Sequence, residues 1–152
     1  MRENLTQFFH CNPVAKEFVS SYSFRAHEEG KSLYLFNGKV LFQAYGHLGT
    51  IYLDVIDPVG ERWGWDASSI VQEHLLSSEI GGYLKKAKSI EDRLLPGCDE
   101  SVEVELIALL MILKQEFTDL LKGDFTKYAE QFSPMKQDQA AQVRQVVAAI
   151  NV

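Results

Sequence analysis

The 152-residue chain has two cysteines and four prolines, and its longest unbroken apolar run, Leu106 to Leu113, is eight residues long. Each shortage excludes something. Cys11 and Cys98 alone cannot make a disulfide framework, and eight apolar residues fall well short of the roughly twenty that cross a bilayer as a helix. No stretch rich in Pro, Gly or Ser and no unit recurring every 20 to 50 residues or so divides the chain, so residues 1–152 are expected to form a single globular domain. Basic residues are also in short supply, with 15 Lys and Arg against 21 Asp and Glu and a net charge of −6. Nucleic-acid affinity comes mainly from Lys and Arg neutralising phosphates, so no nucleic-acid partner is expected. The polar opening Met1-Arg2-Glu3-Asn4 and the short apolar stretch Leu5 to Phe9 do not make an export signal. The expectation is a soluble, cytoplasmic protein with no membrane partner.

Motifs that carry chemistry are equally scarce. There is no Gly-x-Gly-x-x-Gly and no Gly-x-x-x-x-Gly-Lys-Ser/Thr to cradle a phosphate, and no Gly-x-Ser-x-Gly elbow to present a nucleophile. The four histidines, His10, His27, His47 and His74, include no His-x-x-x-His pair, the spacing that sets two imidazoles on one helix face for zinc. His10 and Cys11 are adjacent, and neighbouring residues project apart on any regular element. Cys98 sits in a Gly-Cys-Asp loop with no base beside it. Asp54, Asp57, Glu61 and Asp66 form a loose carboxylate group, but Asp57 precedes Pro58 in a turn and Asp66 precedes a helix that needs a cap. The expectations are no metal, no cofactor, no catalytic residue and no enzyme activity.

What the chain has in quantity is apolar side chains, 46% of the total, enough for a domain of this size to bury about two-thirds of its unfolded surface. Asn12-Pro13 predicts a helix N-cap followed by proline at the first helical position, with the helix running to about Ser20. From Ser23 the runs become β-like: Ser23–Glu29, Ser32–Phe36, Val40–Tyr45, Ile51–Ile56 and Arg62–Trp65. Asn37-Gly38 predicts a two-residue type I′ hairpin, and Gly46–Gly49 and Asp57–Gly60 mark further turns. Beyond Asp66 the period is helical. One helix carries Ile70, Val71 and Leu75 and frays near Gly81-Gly82; a second continues toward Leu95 and stops at Pro96-Gly97. A long core helix runs from about Asp99 or Ser101 to Leu121, with Gly123 past its end. A last helix starts at Ser133-Pro134, with Ala140, Val143, Val146, Val147 and Ile150 on one face. The predicted fold is α+β: an N-terminal helix, a four- or five-stranded antiparallel meander, then C-terminal helices packed on one face of the sheet.

Two features point toward function. Between Tyr34 and Trp65 the sheet segment holds Tyr34, Phe36, Phe42, Tyr45, Tyr52, Trp63 and Trp65, with five charged residues, Lys39, Asp54, Asp57, Glu61 and Arg62. Leu33, Leu35, Leu41, Ile51, Leu53 and Val55 load both sheet faces with apolar groups, so the second face needs a cover of its own: further helices, a second subunit or a partner. The other feature is Asp99, Glu100, Glu103 and Glu105, four carboxylates in seven residues. Carboxylates in a first helical turn are stabilised by the helix dipole. They also steer basic partners. Residues 67 to 123 hold ten acids and six bases, whereas 124 to 152 balance at three and three. Lys85, Lys86 and Lys88 form a solvated helix face.

In general character, a small acidic α+β chain with an aromatic sheet and no catalytic motif looks like the bacterial immunity proteins, a class that shares a task and not a fold. Such a protein neutralises a basic toxin, for example a nuclease, by covering it. The expected partner-binding residues are Asp99, Glu100, Glu103, Glu105, Tyr45, Asp54, Trp63 and Trp65. The alternatives are a small-molecule binder or enzyme with an aromatic-lined pocket drawing on Tyr45, His47, Asp54 and Trp63, and a homodimeric or chaperone-like adaptor.

Overall fold

A computed structural model describes residues 2–90 and 100–151, with side chains from Asn4 onward. Two helices open the chain, α1 (Arg2–Cys11) and α2 (Pro13–Ser21). Asn12 separates them: its Oδ1 accepts from the backbone N–H groups of Val14 (3.0 Å) and Ala15 (3.3 Å), and Pro13 takes the position where no N–H is needed. Helix α1 is an addition to the sequence expectation. Its Leu5, Phe8 and Phe9 share one face at helical spacing and are all buried.

Strands β1 (Arg25–Glu29), β2 (Ser32–Phe36), β3 (Leu41–His47), β4 (Thr50–Asp57) and β5 (Arg62–Gly64) pair in sequence as an antiparallel meander. The sheet has six strands, not four or five. The sixth, β6 (Ser133–Pro134), pairs Ser133 with Trp63 and Pro134 with Arg62. The last helix therefore does not start at Ser133-Pro134. Proline lacks an N–H, which an edge strand does not need on its outer side, and Met135 N–H reaches Glu61 O at 2.8 Å before α7 (Gln137–Ile150) begins.

The Asn37-Gly38 turn also differs from expectation. It is a four-residue loop between the paired Phe36 and Leu41, in which the Asn37 side chain accepts from Lys39 and Val40 N–H, each at 3.0 Å, and donates to Leu121 O at 2.9 Å. Gly38 takes a positive φ of 88°, and Asn37 acts through its side chain.

Between the strands and α7 lie α3 (Ala67–His74), α4 (Ser77–Lys88), α5 (Glu100–Glu116) and the short α6 (Thr118–Leu121), followed by a 3-10 segment over Thr126–Gln131. The break between α3 and α4 falls at Leu75-Leu76, and α4 runs through Gly81-Gly82. Two glycines weaken a helix by about 1 kcal/mol each relative to alanine, yet Ile80, Tyr83, Leu84 and Ala87 of α4 pack on the core and hold it. Helix α5 stops at Glu116, one step short of Phe117, which leads into α6. Gly123 then turns the chain at φ +84 with an ideal Cβ only 3.1 Å from Lys39 Cβ. Gly123→Ala is expected to cost about 1–2 kcal/mol in urea denaturation, from the left-handed backbone and the close approach together.

The core has two parts because the sheet is apolar on both sides. On the first face Leu33, Leu35, Phe42, Ala44, Leu53 and Val55 meet α1, α2, α3 and α5. Phe18, Phe24 and Phe42 form an aromatic cluster there with centroid separations of 5.2 to 6.0 Å. Ile107, Leu110 and Leu113 of α5 are wholly buried, and α5 packs against α2, α3, α4 and β4. On the second face Tyr34, Phe36, Leu41, Ile56 and Trp63 meet Val143, Val146 and Ile150 of α7. The C-terminal helices thus divide between the two faces: α7 alone crosses over and supplies the cover that the doubly apolar strands require. Gln142 and Gln145 bond Glu29 on one side of it, and Arg144 bonds Glu61 at 3.0 Å on the other.

Candidate functional site

Strand β4 carries Tyr52, Asp54 and Ile56 on the second face, since alternate residues share a side. Ile56 lies under α7, but Tyr52 and the opposite residue on β3, Tyr45, lie outside the cluster that α7 covers. Asp54 sits between these zones and is 1% exposed. Three donors converge on its carboxylate. Trp63 Nε1–H donates to Oδ2 at 3.0 Å, the Tyr45 hydroxyl donates at 3.1 Å, and the backbone N–H of Asp66 donates to Oδ1 at 2.8 Å. The carboxylate is a buttress that fixes the polar edges of two aromatic rings and the end of β5 at one point.

Asp66 is held at φ +58, a region that a non-glycine residue occupies only at a cost of about 1 kcal/mol or more. That conformation lets one residue face two ways. Its N–H points inward to Asp54, while its side chain accepts from Ser68 N–H at 3.1 Å and caps α3.

An aromatic strip is built on this buttress. The Tyr45 and Tyr52 rings stack at 5.6 Å and 21°, with the His47 ring 6.4 Å beyond, and Trp63 and Trp65 lie 5.4 Å apart. Trp63 is buried, but Trp65 is 54% exposed. At the tip of the β3–β4 hairpin, Leu48 and Gly49 form the two-residue loop between paired His47 and Thr50, both with positive φ (50° and 77°). This is where a type I′ turn forms, and Leu48, in a position that favours Asn or Gly, is 90% exposed.

Beside the strip is a cleft of about 340 Å³ between the start of β4, α3, α4 and α5. Thr50, Ile51, Tyr52 and Asp66 line its sheet side, and Val102, Glu105, Leu106 and Leu109 of α5 the other. The acidic cluster is therefore split. Glu105 is exposed at the cleft, Glu100 is exposed at the start of α5, and Glu103 turns inward and is 6% exposed. Asp99, Cys98 and the Pro96-Gly97 stop lie outside the described residues.

The structure thus brings Tyr45, Asp54, Trp63 and Trp65 together as one constellation and sets Glu105 beside it through the cleft. Leu48, the inward-pointing amide of Asp66 and the pairing of Tyr52 with Tyr45 are absent from the expected set. The two-residue loop at Leu48-Gly49 is the signal that would have placed Tyr52 opposite Tyr45. Asp57 serves the β4–β5 turn, accepting from Gly60 N–H at 2.9 Å and pairing with Arg62 at 3.0 Å. Among the described residues no three His, Cys, Asp or Glu side chains are grouped to hold a metal ion.

Burial pushes the Asp54 carboxyl above its ordinary pKa; the three hydrogen bonds pull it back in part, and the nearby Asp66 charge adds to the rise. Burial and the Asp54 charge also raise the Tyr45 hydroxyl, which stays protonated and donates. Between the ordinary aspartate value and the raised one, the native state binds more protons than the unfolded chain. Stability contributed by Asp54 is therefore fullest below the ordinary value, falls as pH rises through that window, and is level above it. Asp54→Asn cannot titrate, so the stability it loses relative to the parent is expected to be greatest at the acid end and to shrink as pH rises through the window. Urea denaturation of both proteins between about pH 3 and 7 checks this; a difference that grows with pH would mean that the three donors outweigh burial.

No family model, no curated protein and no solved structure matches this chain.

Proposed function

We propose that this chain is a non-catalytic acidic binding protein of the immunity or antitoxin type, acting in the cytoplasm to neutralise a basic protein such as a nuclease toxin by covering its surface. The observation that carries this reading is the rigid aromatic strip ending in exposed Trp65 and in Leu48, held in place by a carboxylate with no free role. Trp and Tyr are the side chains that most often anchor protein interfaces. Asp54 is committed on both oxygens to ring edges and backbone, which suits a scaffold and does not suit a proton-transfer group. The net charge of −6 supplies long-range attraction for a basic partner.

The strained turn supports the same reading. Leu48 occupies a left-handed backbone position and buries almost nothing, so it lowers the stability of the free protein without a return inside the fold. Leu48→Asn is expected to raise the unfolding free energy by about 0.5–1 kcal/mol and at the same time to weaken partner binding.

The experiment is affinity capture from the native host at low and high salt with the parent protein, Trp65→Ala, Leu48→Asn and the pair Glu100→Lys, Glu105→Lys. A stoichiometric basic partner at low salt, weakened at least about tenfold by Trp65→Ala and by the charge reversals, is the expected result. A partner that is indifferent to all of these changes, or no basic partner at all, overturns the reading. The cleft favours a second reading, a small-ligand binder, and the same variants separate the two, since a ligand held in the cleft is indifferent to Leu48 and Trp65.

A further inference from the structure

The cleft beside the aromatic strip has an unusual balance of groups. Its floor is aliphatic, with Val71, Leu84, Leu106, Leu109 and Ile112, and its rim carries the carboxylates of Glu105 and Asp66; among the described residues no lysine, arginine or histidine lines it. Asp66 spends its carboxylate on the α3 cap. Glu105 makes no hydrogen bond or ion pair among the described residues and is exposed at the mouth. It also stands beyond the first turn of α5, where the helix dipole no longer accounts for a carboxylate.

We propose that this cleft receives a long, basic, aliphatic side chain, a lysine or arginine of the partner protein, with its methylene stem on the aliphatic floor and its charged head at Glu105. The proposal rests on the binding-protein reading and names the anchor within it. A cation on a hydrocarbon stem is the one class of guest that satisfies both parts of the site. An anionic guest would meet two carboxylates and no counter-charge among the described residues, and an uncharged apolar guest would leave Glu105 without a partner. The size agrees, since 340 Å³ is at the small end of ligand pockets and suits a stem of four to six carbons better than a nucleotide or a cofactor. Lysine and arginine bury such stems while keeping the head at the water boundary, which is the geometry of a floor below and a carboxylate at the mouth. Each methylene taken out of water strengthens binding by about fourfold, so stem length should be read directly in the affinity.

The test uses the full chain and three probes of equal length, hexylammonium, hexanol and hexanoate, followed by methyl NMR of Val71, Leu84, Leu109 and Ile112. Hexylammonium is expected to shift these methyls saturably, with an affinity about two- to fivefold above that of hexanol and with hexanoate weakest. Glu105→Gln, at an exposed helical position, is expected to bring hexylammonium down to the level of hexanol and to leave hexanol unchanged. Equal binding of hexanol and hexylammonium, stronger binding of hexanoate, shifts outside the cleft, or no effect of Glu105→Gln would each overturn the proposal. Because the probes need no protein partner, this outcome is independent of the capture experiment: a silent cleft overturns the anchor and leaves a Trp65-dependent partner standing, and an amine-binding cleft without such a partner removes the wider reading and, with it, the partner protein as the source of the guest.

Discussion

Asp54→Ala is expected to lower the unfolding free energy by about 3 kcal/mol. The substitution removes the single acceptor shared by Trp63 Nε1–H, the Tyr45 hydroxyl and Asp66 N–H. An unsatisfied buried donor costs about 1–3 kcal/mol. Trp63 is buried and bears that cost in full, whereas Tyr45 is half-buried and regains water. Removal of a carboxylate that burial has pushed toward its neutral form returns part of the loss. The two contributions leave roughly the figure given, to be read in urea denaturation with tryptophan emission as the probe. Tyr45→Phe, which removes one donor and leaves the others satisfied, is expected to cost about 1 kcal/mol. A loss below about 1 kcal/mol for Asp54→Ala would show that the strip does not depend on the carboxylate.

Val146→Asp is expected to cost more, about 3–5 kcal/mol, the scale of an unpaired charge placed in an apolar interior. Val146 is wholly buried in the cluster that joins α7 to Tyr34, Phe36, Leu41, Ile56 and Trp63. Because the first-face core does not include α7, the damage should be local: α7 detaches, Trp63 emission shifts to the red, and a hydrophobic dye binds the bared sheet while most far-ultraviolet dichroism remains. A loss below about 1 kcal/mol with unchanged emission would mean that α7 does not hold the second face.

The local signals in the sequence were reliable where the structure is locally determined. Asn12-Pro13 starts α2, the five meander strands lie where β-like runs are bounded by turn residues, and Gly123 takes the left-handed position after α6. What could not be read depends on distant partners. Ser133-Pro134 carries the local signal of a helix start, and only pairing with Trp63 and Arg62, some seventy residues earlier, makes it a strand. Gly81-Gly82 reads as a break, yet packing of α4 on α5 overrides it.

The site divides in the same way. Tyr45, Asp54, Trp63 and Trp65 stand out by residue type, but the duty of Asp54 follows from the positive φ of Asp66, which no sequence rule assigns to an aspartate before a helix. The acidic run looks like one patch in sequence. Each helical residue turns by about 100°, so Glu103 and Glu105 face opposite ways, one into the interior and one to the cleft.

The sixth strand and the helix after it have a consequence for how the chain is made. Strand β5 and the second sheet face are complete by Gly64, but the segments that pair with the one and cover the other, Ser133–Pro134 and Gln137–Ile150, are synthesised some seventy residues later. At ribosomal rates the open edge at Arg62–Gly64 and the aromatic face around Tyr34, Phe36 and Trp63 wait on the order of several seconds for their cover. During that interval the nascent protein presents an unpaired strand and an apolar sheet to its surroundings, the conditions under which chains associate with one another. Slow aggregation during expression, relieved by cooling or by a chaperone that holds sheet surfaces, belongs to this order of assembly, even though the finished fold leaves neither surface open.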